Sequence, residues 1–174
     1  NYSWQFDGSN DSLSLSAPLF QMSDDHAVIA GCSPSVSGSA LRVVASPSQG
    51  AASYTRAGQV AYSGADSAAQ ASWYDGTNYD NLLYVYPTST PFVGTAAKRS
   101  TTLIQRVNGV QRNTKTATVA FTSTLGSIGA YANAADGYFN GAIYPVIAIK
   151  GTVSDSDLLT LERFVGQLSG VSGI

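Results

Sequence analysis

Short runs of hydrophobic residues alternate with Gly, Pro, Asn, Asp and Ser along most of the chain. Runs of this length that are rich in β-branched and aromatic residues are typical of β-strands bounded by turns. The segments that we interpret as strands are WQFDG, LSLSA, AVIAGCSP, ALRVVAS, LLYVYP, TLIQRVNGVQR, TATVAFTS and GAIYPVIAIK. Strands at this spacing predict an all-β sandwich or barrel, in which two antiparallel sheets face each other over one core.

Two turns and the strand patterns add detail to this prediction. The Asn-Gly pair of VNGV at Val107–Val110 suits a type I′ turn, which predicts a hairpin of strands 103–107 and 110–114. FDGSND at Phe6–Asp11 should turn the chain between two further strands. The alternation in LSLSA places Leu13 and Leu15 toward the core. The continuous runs AVIAG and YPVIAI should be central strands that are buried on both faces, or strands whose outer face is covered.

One helix is predicted near the C-terminus. Ser154 and Asp157 have the spacing of a capping box, Asp155 and Asp157 lie near the positive end of the helix dipole, and Gly170 is a suitable stop. We expect this helix to cover one part of the sandwich, and an exposed partner-binding helix is the alternative. Its apolar stripe consists of Leu158, Leu161, Phe164, Val165 and Leu168.

Length and charge narrow the class of protein. The 174 residues show no linker or repeat, so we expect a single domain over residues 1–174, processed or cut from a longer protein. No apolar run is long enough for a membrane span. The net charge of −2 and the 11% of charged residues argue against a nucleic-acid partner. We interpret the basic pairs Lys98-Arg99 and Arg106/Arg112 as solvated surface.

Three segments resemble one known family. FDGSNDSLSL resembles the opening strands of concanavalin A-like, laminin-G-like domains, and VNGV resembles their central hairpin. LGSIGAYANAADGYFNGAIYPVIAIKGTVSDSDLLTLERFV resembles their closing strands and helix, and the variant with PLFQMSDDHAVIAG looks most like modules of bacteriophage virion proteins, in tails, fibres or decorations. The resemblance implies a two-sheet antiparallel jelly-roll sandwich with one short C-terminal helix. It also implies glycan or protein binding, structural display or, in a subset, glycan hydrolysis.

The residues themselves argue against catalysis. Glycoside hydrolysis needs a pair of carboxylates, whereas Glu162 is the only glutamate and lies in the predicted helix. His26 is the only histidine and no G-x-S-x-G motif is present. Two aspartates, or a Ser-His-Asp set, are the alternatives that composition leaves open. Cys32 is the only cysteine, so no internal disulfide forms, and we expect a buried, inert thiol. We therefore predict that the chain is not an enzyme.

No cofactor is predicted, apart from a structural calcium ion. One histidine and one cysteine argue against zinc. Calcium prefers oxygen ligands, and Asp7, Asn10 and Asp11 are the first candidate set, although such residues are also good turn formers. The other candidate sets are Asp75/Asn78/Asp80 and Asn133/Asp136.

Tyrosine is the feature that points to binding. Ten tyrosines are present, and they concentrate in SWYDGTNYDNLLYVYP and GAYANAADGYFNG. Tyr and Trp combine an apolar face with a polar tip, which suits a sugar ring or a protein partner. The alternative is that these aromatics form core or oligomer contacts, as Tyr84 and Tyr86 do if they share one strand face. The predicted ligand-binding residues are Trp73, Tyr74, Asp75, Asn78, Tyr79, Asp80, Tyr131 and Tyr138.

Two functions are consistent with these features. The first is a non-catalytic, lectin-like module of a phage virion protein that recognises a cell-surface glycan or another surface ligand. The second is a structural or decoration module that contacts neighbouring virion subunits. The expected partners are a glycan or protein on a cell surface, other virion subunits or a second copy of the chain. The expected location is the virion or the extracellular space.

Overall fold

The computed structural model describes residues 2–35, 41–50, 56–75, 77–87, 89–120, 122–131 and 137–174. The strands in this part of the chain are β1 (Trp4–Asp7), β2 (Leu13–Leu15), β3 (His26–Pro34), β4 (Leu41–Gln49), β5 (Arg56–Ser63), β6 (Ala68–Tyr74), β7 (Tyr79–Val85), β8 (Phe92–Arg99), β9 (Thr102–Val107), β10 (Val110–Thr116), β11 (Leu125–Ile128) and β12 (Asn140–Lys150). The helix α1 (Asp155–Ser169) follows them.

The strands form two antiparallel sheets of six strands each. The first sheet has the order β1-β12-β3-β8-β9-β10, and the second has the order β2-β11-β4-β5-β6-β7. Their inner faces enclose a core whose largest side chains are fully buried, which stabilises the sandwich through the hydrophobic effect. This arrangement confirms the predicted jelly-roll sandwich. The largest fully buried side chains of this core are Trp73, Tyr62, Phe92 and Phe139.

The predicted hairpin and turn are confirmed. β9 and β10 are antiparallel with Val107 opposite Val110. Asn108 and Gly109 between them have φ angles of 50° and 78°, as a type I′ turn requires. The chain also turns at Gly8, where φ is 83°, but β1 and β2 then enter different sheets. Local turn chemistry therefore favours the hairpin, and the Asn108 side-chain oxygen also accepts a hydrogen bond from the Val93 amide at 2.8 Å.

The AVIAG run in β3 is buried on both faces, as predicted, whereas the YPVIAI run in β12 is only partly buried and has a covered outer face. β3 and β12 are neighbours inside the first sheet, and their inner residues face the main core. Their outer residues form a second apolar cluster, in which Ile29 of β3 and Val93 of β8 pack with Leu158 and Val165 of α1. The helix therefore covers the outer face of the first sheet, which confirms the covering role predicted for it.

The helix ends are confirmed, but its predicted apolar stripe is partly wrong. The Ser154 hydroxyl accepts a hydrogen bond from the Asp157 amide at 3.1 Å, and Gly170 ends the helix with φ at 75°. Phe164 and Leu168 are 52% and 36% exposed. The buried face is Leu158, Glu162, Val165, Gly166 and Ser169, so the helix is rotated toward its glutamate. No helix in the described residues is long and apolar enough to span a bilayer.

A buried ion pair explains this rotation. The Glu162 carboxylate is fully buried and accepts hydrogen bonds from Arg106 Nε at 2.9 Å and from an Arg106 terminal nitrogen at 3.0 Å. The Thr95 hydroxyl donates a third hydrogen bond to Glu162 at 2.7 Å. Because a buried charge is stable only when it is paired, this pair fixes the helix against the sheet.

The interpretation of the basic pairs as solvated surface is therefore wrong for two residues. Arg106 is 6% exposed because it lies beneath the helix. Lys98 is 7% exposed, and its ammonium group donates to the carbonyl of Ser23 at 3.2 Å.

Leu13 also differs from its expected burial. It pairs with the core-contacting Ile128 but is 43% exposed, because β2 is an edge strand.

Candidate functional site

The outer face of the second sheet is polar although its centre is buried. Strand alternation turns Ala71 and Trp73 toward the core, so Gln70 and Ser72 point to the opposite side. Gln59 pairs with Ser72 across β5 and β6. We call Gln59, Gln70 and Ser72 the polar row, and all three are at most 4% exposed. Neutral amide and hydroxyl groups in this row can both donate and accept hydrogen bonds.

Aromatic rings surround an arginine at one end of this face. The register of β6 and β7 pairs Tyr74 with Tyr79, and their ring centroids lie 5.5 Å apart. The guanidinium carbon of Arg56 lies 5.4 Å from the ring centroid of Tyr74, 5.0 Å from that of Tyr79 and 5.3 Å from that of Tyr131. We call these four residues the arginine–tyrosine cluster.

Hydrogen bonds connect this cluster to the polar row. Arg56 Nε donates to the Ser72 hydroxyl at 2.9 Å, and this hydroxyl donates to the Gln59 side-chain oxygen at 2.8 Å. Gln70 donates to the Tyr79 hydroxyl at 2.8 Å. Arg56 is 4% exposed, whereas Tyr79 is 43% exposed. The cluster therefore holds a positive charge beneath a tyrosine that solvent or a ligand reaches.

Two buried polar atoms on the same face have no hydrogen-bond partner in the part of the chain that the structure describes. They are the Gln59 side-chain nitrogen and the Ser46 hydroxyl. Ser46 lies beside Gln59 because the preceding Ala45 pairs with Val60 in the neighbouring strand. Buried polar groups are nearly always paired, since an unpaired one costs about 1–3 kcal/mol. The presence of unpaired polar atoms on this face is therefore not explained by the packing of the sheet alone.

Strand alternation divides the predicted ligand-binding residues between two faces. Tyr74, Tyr79 and Tyr131 come together in the arginine–tyrosine cluster. Trp73 and Asp80 are both fully buried, so the predicted single surface patch on a loop is corrected. The reason is that these residues belong to β6 and β7, in which successive side chains point to opposite faces.

Trp73 and Asp80 have structural partners. The Trp73 indole nitrogen donates to His26 Nε2 at 3.2 Å inside the core. Asp80 contacts the Lys115 ammonium group at 2.7 Å and accepts a hydrogen bond from the Thr118 amide at 2.7 Å. Burial alone would raise the pKa of Asp80, but the bonds from Lys115 and Thr118 hold this pKa below its usual value.

Asp75 and Asn78 shape the turn between β6 and β7. The Asp75 carboxylate accepts hydrogen bonds from the amides of Thr77 and Asn78 at 2.8 and 2.7 Å. The backbone hydrogen bond from Asn78 is the main reason that the pKa of Asp75 falls to about 2.

Tyr138 is half-buried, and its carbonyl accepts a hydrogen bond from Arg42 at 3.0 Å. No contact joins Tyr138 to the arginine–tyrosine cluster among the described residues.

The candidate calcium ligands lie in turns. Asp7 accepts a hydrogen bond from the Ser9 amide at 2.7 Å, and Asp11 accepts one from the Asp7 amide at 2.9 Å. No group of three His, Cys, Asp or Glu side chains converges in the part of the chain that the structure describes. The alternative pair Asn133/Asp136 lies outside the described residues. Calcium at Asp7, Asn10 and Asp11 stays a prediction, which thermal melting with calcium against a chelator tests.

The two residues considered for catalysis are both in the interior. Glu162 is fully buried in its ion pair, and His26 is 1% exposed. His26 Nδ1 lies 2.9 Å from the Asp24 carbonyl, and desolvation is the main reason that its pKa falls to about 4. At neutral pH the imidazole is therefore uncharged, and it is covered by the protein.

Arg56 is the site residue that the sequence analysis did not identify. It begins β5 in the segment RAGQVAYS, where no other charged residue accompanies it. The sequence feature that could have identified Arg56 is a single charged residue at the start of a strand. The tyrosines that surround Arg56 in the fold are distant from it in sequence. Only the fold brings Tyr131 over Arg56.

No family model and no curated protein matches the sequence. Solved structures do match its fold. The CBM40 module of a Ruminococcus gnavus IT-sialidase superposes with a TM-score of 0.71 at 9% identity, covering 93% of this chain and 97% of that one. The same module bound to α2,3-sialyllactose superposes with a TM-score of 0.67 at 8% identity, covering 92% of this chain and 98% of that one.

Two larger proteins contain a similar fold. A Trypanosoma rangeli sialidase in complex with sialic acid has a TM-score of 0.71 at 9% identity, and the match covers 95% of this chain but 28% of the sialidase. The binding domain of botulinum neurotoxin serotype D has a TM-score of 0.66 at 10% identity, covering 93% of this chain and 42% of that domain. At these identities the similarity shows a jelly-roll, lectin-like fold.

Proposed function

We propose that this chain is a non-catalytic, lectin-like module that binds a cell-surface glycan through the arginine–tyrosine cluster. The observation that carries the proposal is the buried guanidinium of Arg56, which lies 5.0–5.4 Å from the ring centroids of Tyr74, Tyr79 and Tyr131. The similarity to a CBM40 module bound to α2,3-sialyllactose supports a glycan as the ligand class.

The chemistry of the cluster favours an acidic sugar. The face of Tyr79 can stack on the C–H groups of a pyranose ring, while its hydroxyl group can bond a sugar hydroxyl. Arg56 provides a positive charge in a low-dielectric environment, where attraction to a carboxylate is stronger than in water. Sialylated glycans combine a pyranose ring with a carboxylate, and we propose this class.

The absence of catalysis is part of the proposal. It is supported by the burial of His26 and Glu162, which are 1% and 0% exposed. It is also supported by the CBM40 and neurotoxin binding domains among the similar structures. Two aspartates acting together stay the alternative, and a hydrolysis assay on sialyllactose, with release of sialic acid as the readout, tests it.

The biological setting rests on the sequence resemblance to phage virion modules. We propose a virion or extracellular location on that ground.

Exposed apolar residues on β7 favour the second function, a structural or decoration module. Leu83 and Val85 are 38% and 75% exposed on an edge strand, and such residues are suited to contact a neighbouring subunit. Light scattering over a concentration series tests this alternative.

A glycan array that carries matched sialylated and asialo oligosaccharides tests the proposed function. We expect the wild type to bind sialylated spots and the Tyr79→Ala variant to lose that signal. Val85→Ala is the matched control, since Val85 lies on the same strand face and is 75% exposed, away from the arginine. An array without signal, or an equal signal from Tyr79→Ala, contradicts the proposal. Self-association together with a silent array favours the structural function.

A further inference from the structure

The two lateral edges of the sandwich differ. At one edge β10 closes against β7, where the Asn113 side chain donates to the Leu83 carbonyl at 2.8 Å and Lys115 donates to the Tyr79 carbonyl at 3.5 Å. The opposite edge consists of β1 from the first sheet and β2 from the second sheet. Two clefts of about 480 and 180 Å³ lie along this second edge. It is therefore the more open side of the sandwich among the described residues.

Trp4 lines both clefts. It is 50% exposed, and Tyr2 beside it is 99% exposed. The larger cleft has an aromatic and apolar wall, and its volume lies in the range of about 300–1,000 Å³ that is typical of small-molecule sites. The smaller cleft adds the polar residues Asp11 and Ser12.

A β-bulge shapes the wall of the larger cleft. β12 pairs with β3 through Ile143 opposite Cys32 and then through Val146 opposite Ala30, so Tyr144 and Pro145 face a single residue of β3. Bulges redirect side chains and occur frequently next to binding sites. Here the bulge places Tyr144 and Pro145 in the lining of the cleft, where they face the same space as Trp4.

We propose that this edge is a second binding site, specific for a neutral oligosaccharide, with Trp4 as the residue that stacks on a sugar ring. Trp presents the largest aromatic face, and the nearby Asp11 and Ser12 carry groups that are suited to bond sugar hydroxyls. The charge of the edge selects against other ligands. Asp11 lines the smaller cleft, where its carboxylate repels an anionic sugar.

The two tryptophans make this site observable. Trp73 is fully buried in the core, whereas Trp4 is 50% exposed, so a ligand at the edge changes the fluorescence of Trp4. The experiment titrates the protein with maltohexaose, cellohexaose and chitohexaose at millimolar concentrations. We expect at least one of them to shift the emission with saturation. Trp4→Phe should lose the fluorescence response but keep a calorimetric one.

Variants then locate the binding. Tyr144→Ala and Trp4→Ala should each weaken calorimetric binding about tenfold or more, as truncation of a central aromatic anchor does. Tyr144→Ala keeps the test decisive if Trp4→Ala fails to fold. Tyr79→Ala should leave neutral-sugar binding unchanged, so failure here is distinguishable from failure of the arginine–tyrosine cluster.

Two results would overturn this inference. One is the absence of any response to the three hexasaccharides, and the other is unchanged binding in both Trp4→Ala and Tyr144→Ala. A dimer that forms without sugar and disappears in Trp4→Ala, together with no response to the hexasaccharides, would assign the edge to a contact between copies instead.

Discussion

The environment of His26 predicts a large loss of stability in mild acid. His26 is 1% exposed and stacks on Phe20 with ring centroids 4.2 Å apart. Its Nε2 accepts a hydrogen bond from Trp73 at 3.2 Å, so its Nδ1 must carry the proton that it shares with the Asp24 carbonyl at 2.9 Å. A second proton would have to bind at Nε2, where it would break the bond from Trp73. The core therefore tolerates only the neutral ring.

The size of the effect follows from the difference in pKa. Desolvation is the main cause that lowers the pKa of His26 from 6.5 to about 4. The unfolded chain therefore takes up a proton first as the pH falls, and the folded state loses relative stability between about pH 6.5 and 4. At about 1.4 kcal/mol per pKa unit, this difference corresponds to about 3–4 kcal/mol in full, of which about 3 kcal/mol is lost by pH 4. Well below pH 4 the contribution of His26 stays constant.

The assay is urea unfolding of the wild type and of His26→Asn at a series of pH values from neutral to pH 4. The low pKa values of Asp24 and Asp25 also make the protein less stable in acid, but both variants share this contribution. We expect the stability advantage of the wild type to shrink by about 3 kcal/mol across the series. NMR titration of the single imidazole gives its pKa independently. A pKa near 6.5, or parallel stability curves, would show that the folded core accepts the charged imidazole.

Three further predictions concern the helix and the cysteine. Glu162→Gln should destabilise the fold by about 3–5 kcal/mol in urea unfolding, because it leaves the Arg106 charge buried and unpaired, whereas Glu162→Leu combined with Arg106→Met should recover most of that loss. Ser154→Ala should cost about 1 kcal/mol in the same assay, and a cost near zero would contradict the observed cap. Burial raises the pKa of Cys32, so a thiol reagent should react with it at the rate of unfolding, and fast labelling of the native protein would contradict this.

Features determined by local chemistry were predictable from the sequence. The backbone preferences of Asn108 and Gly109 favour their turn, to which Val93 adds a hydrogen bond, and Ser154 and Gly170 cap the helix with groups that are close in sequence. The continuous apolar run of β3 similarly required a cover on both faces. Any fold must keep such a run of apolar side chains away from water, so its burial was predictable without knowledge of the tertiary contacts.

Features that depend on tertiary contacts were not predictable in this way. A glutamate such as Glu162 would ordinarily lie on the solvent-facing side of a helix. Its ion pair with Arg106 turns this side of the helix toward the sheet, which leaves Phe164 exposed. The candidate site shows the same limit, since Arg56 and Tyr131 meet only through the packing of β5 and the segment after β11.

One error was avoidable from strand periodicity. Trp73 and Tyr74 are consecutive in β6, so they had to face opposite sides of the sheet once this segment was assigned as a strand. The prediction instead interpreted this segment as a loop, and it therefore placed the side chains of Trp73 and Tyr74 in one surface patch. The boundary between strand and turn at Asp75 therefore decided which aromatics belong to the candidate site.

The most direct test of the proposed function is calorimetric titration of α2,3-sialyllactose, with lactose as the matched neutral sugar. The account predicts saturable binding of sialyllactose that Tyr79→Ala weakens at least about tenfold, equivalent to about 1.4 kcal/mol. Lactose should bind the arginine–tyrosine cluster more weakly, since it lacks the carboxylate that Arg56 attracts. Equal affinity for both sugars, or sialyllactose binding that Tyr79→Ala leaves unchanged, would contradict the account.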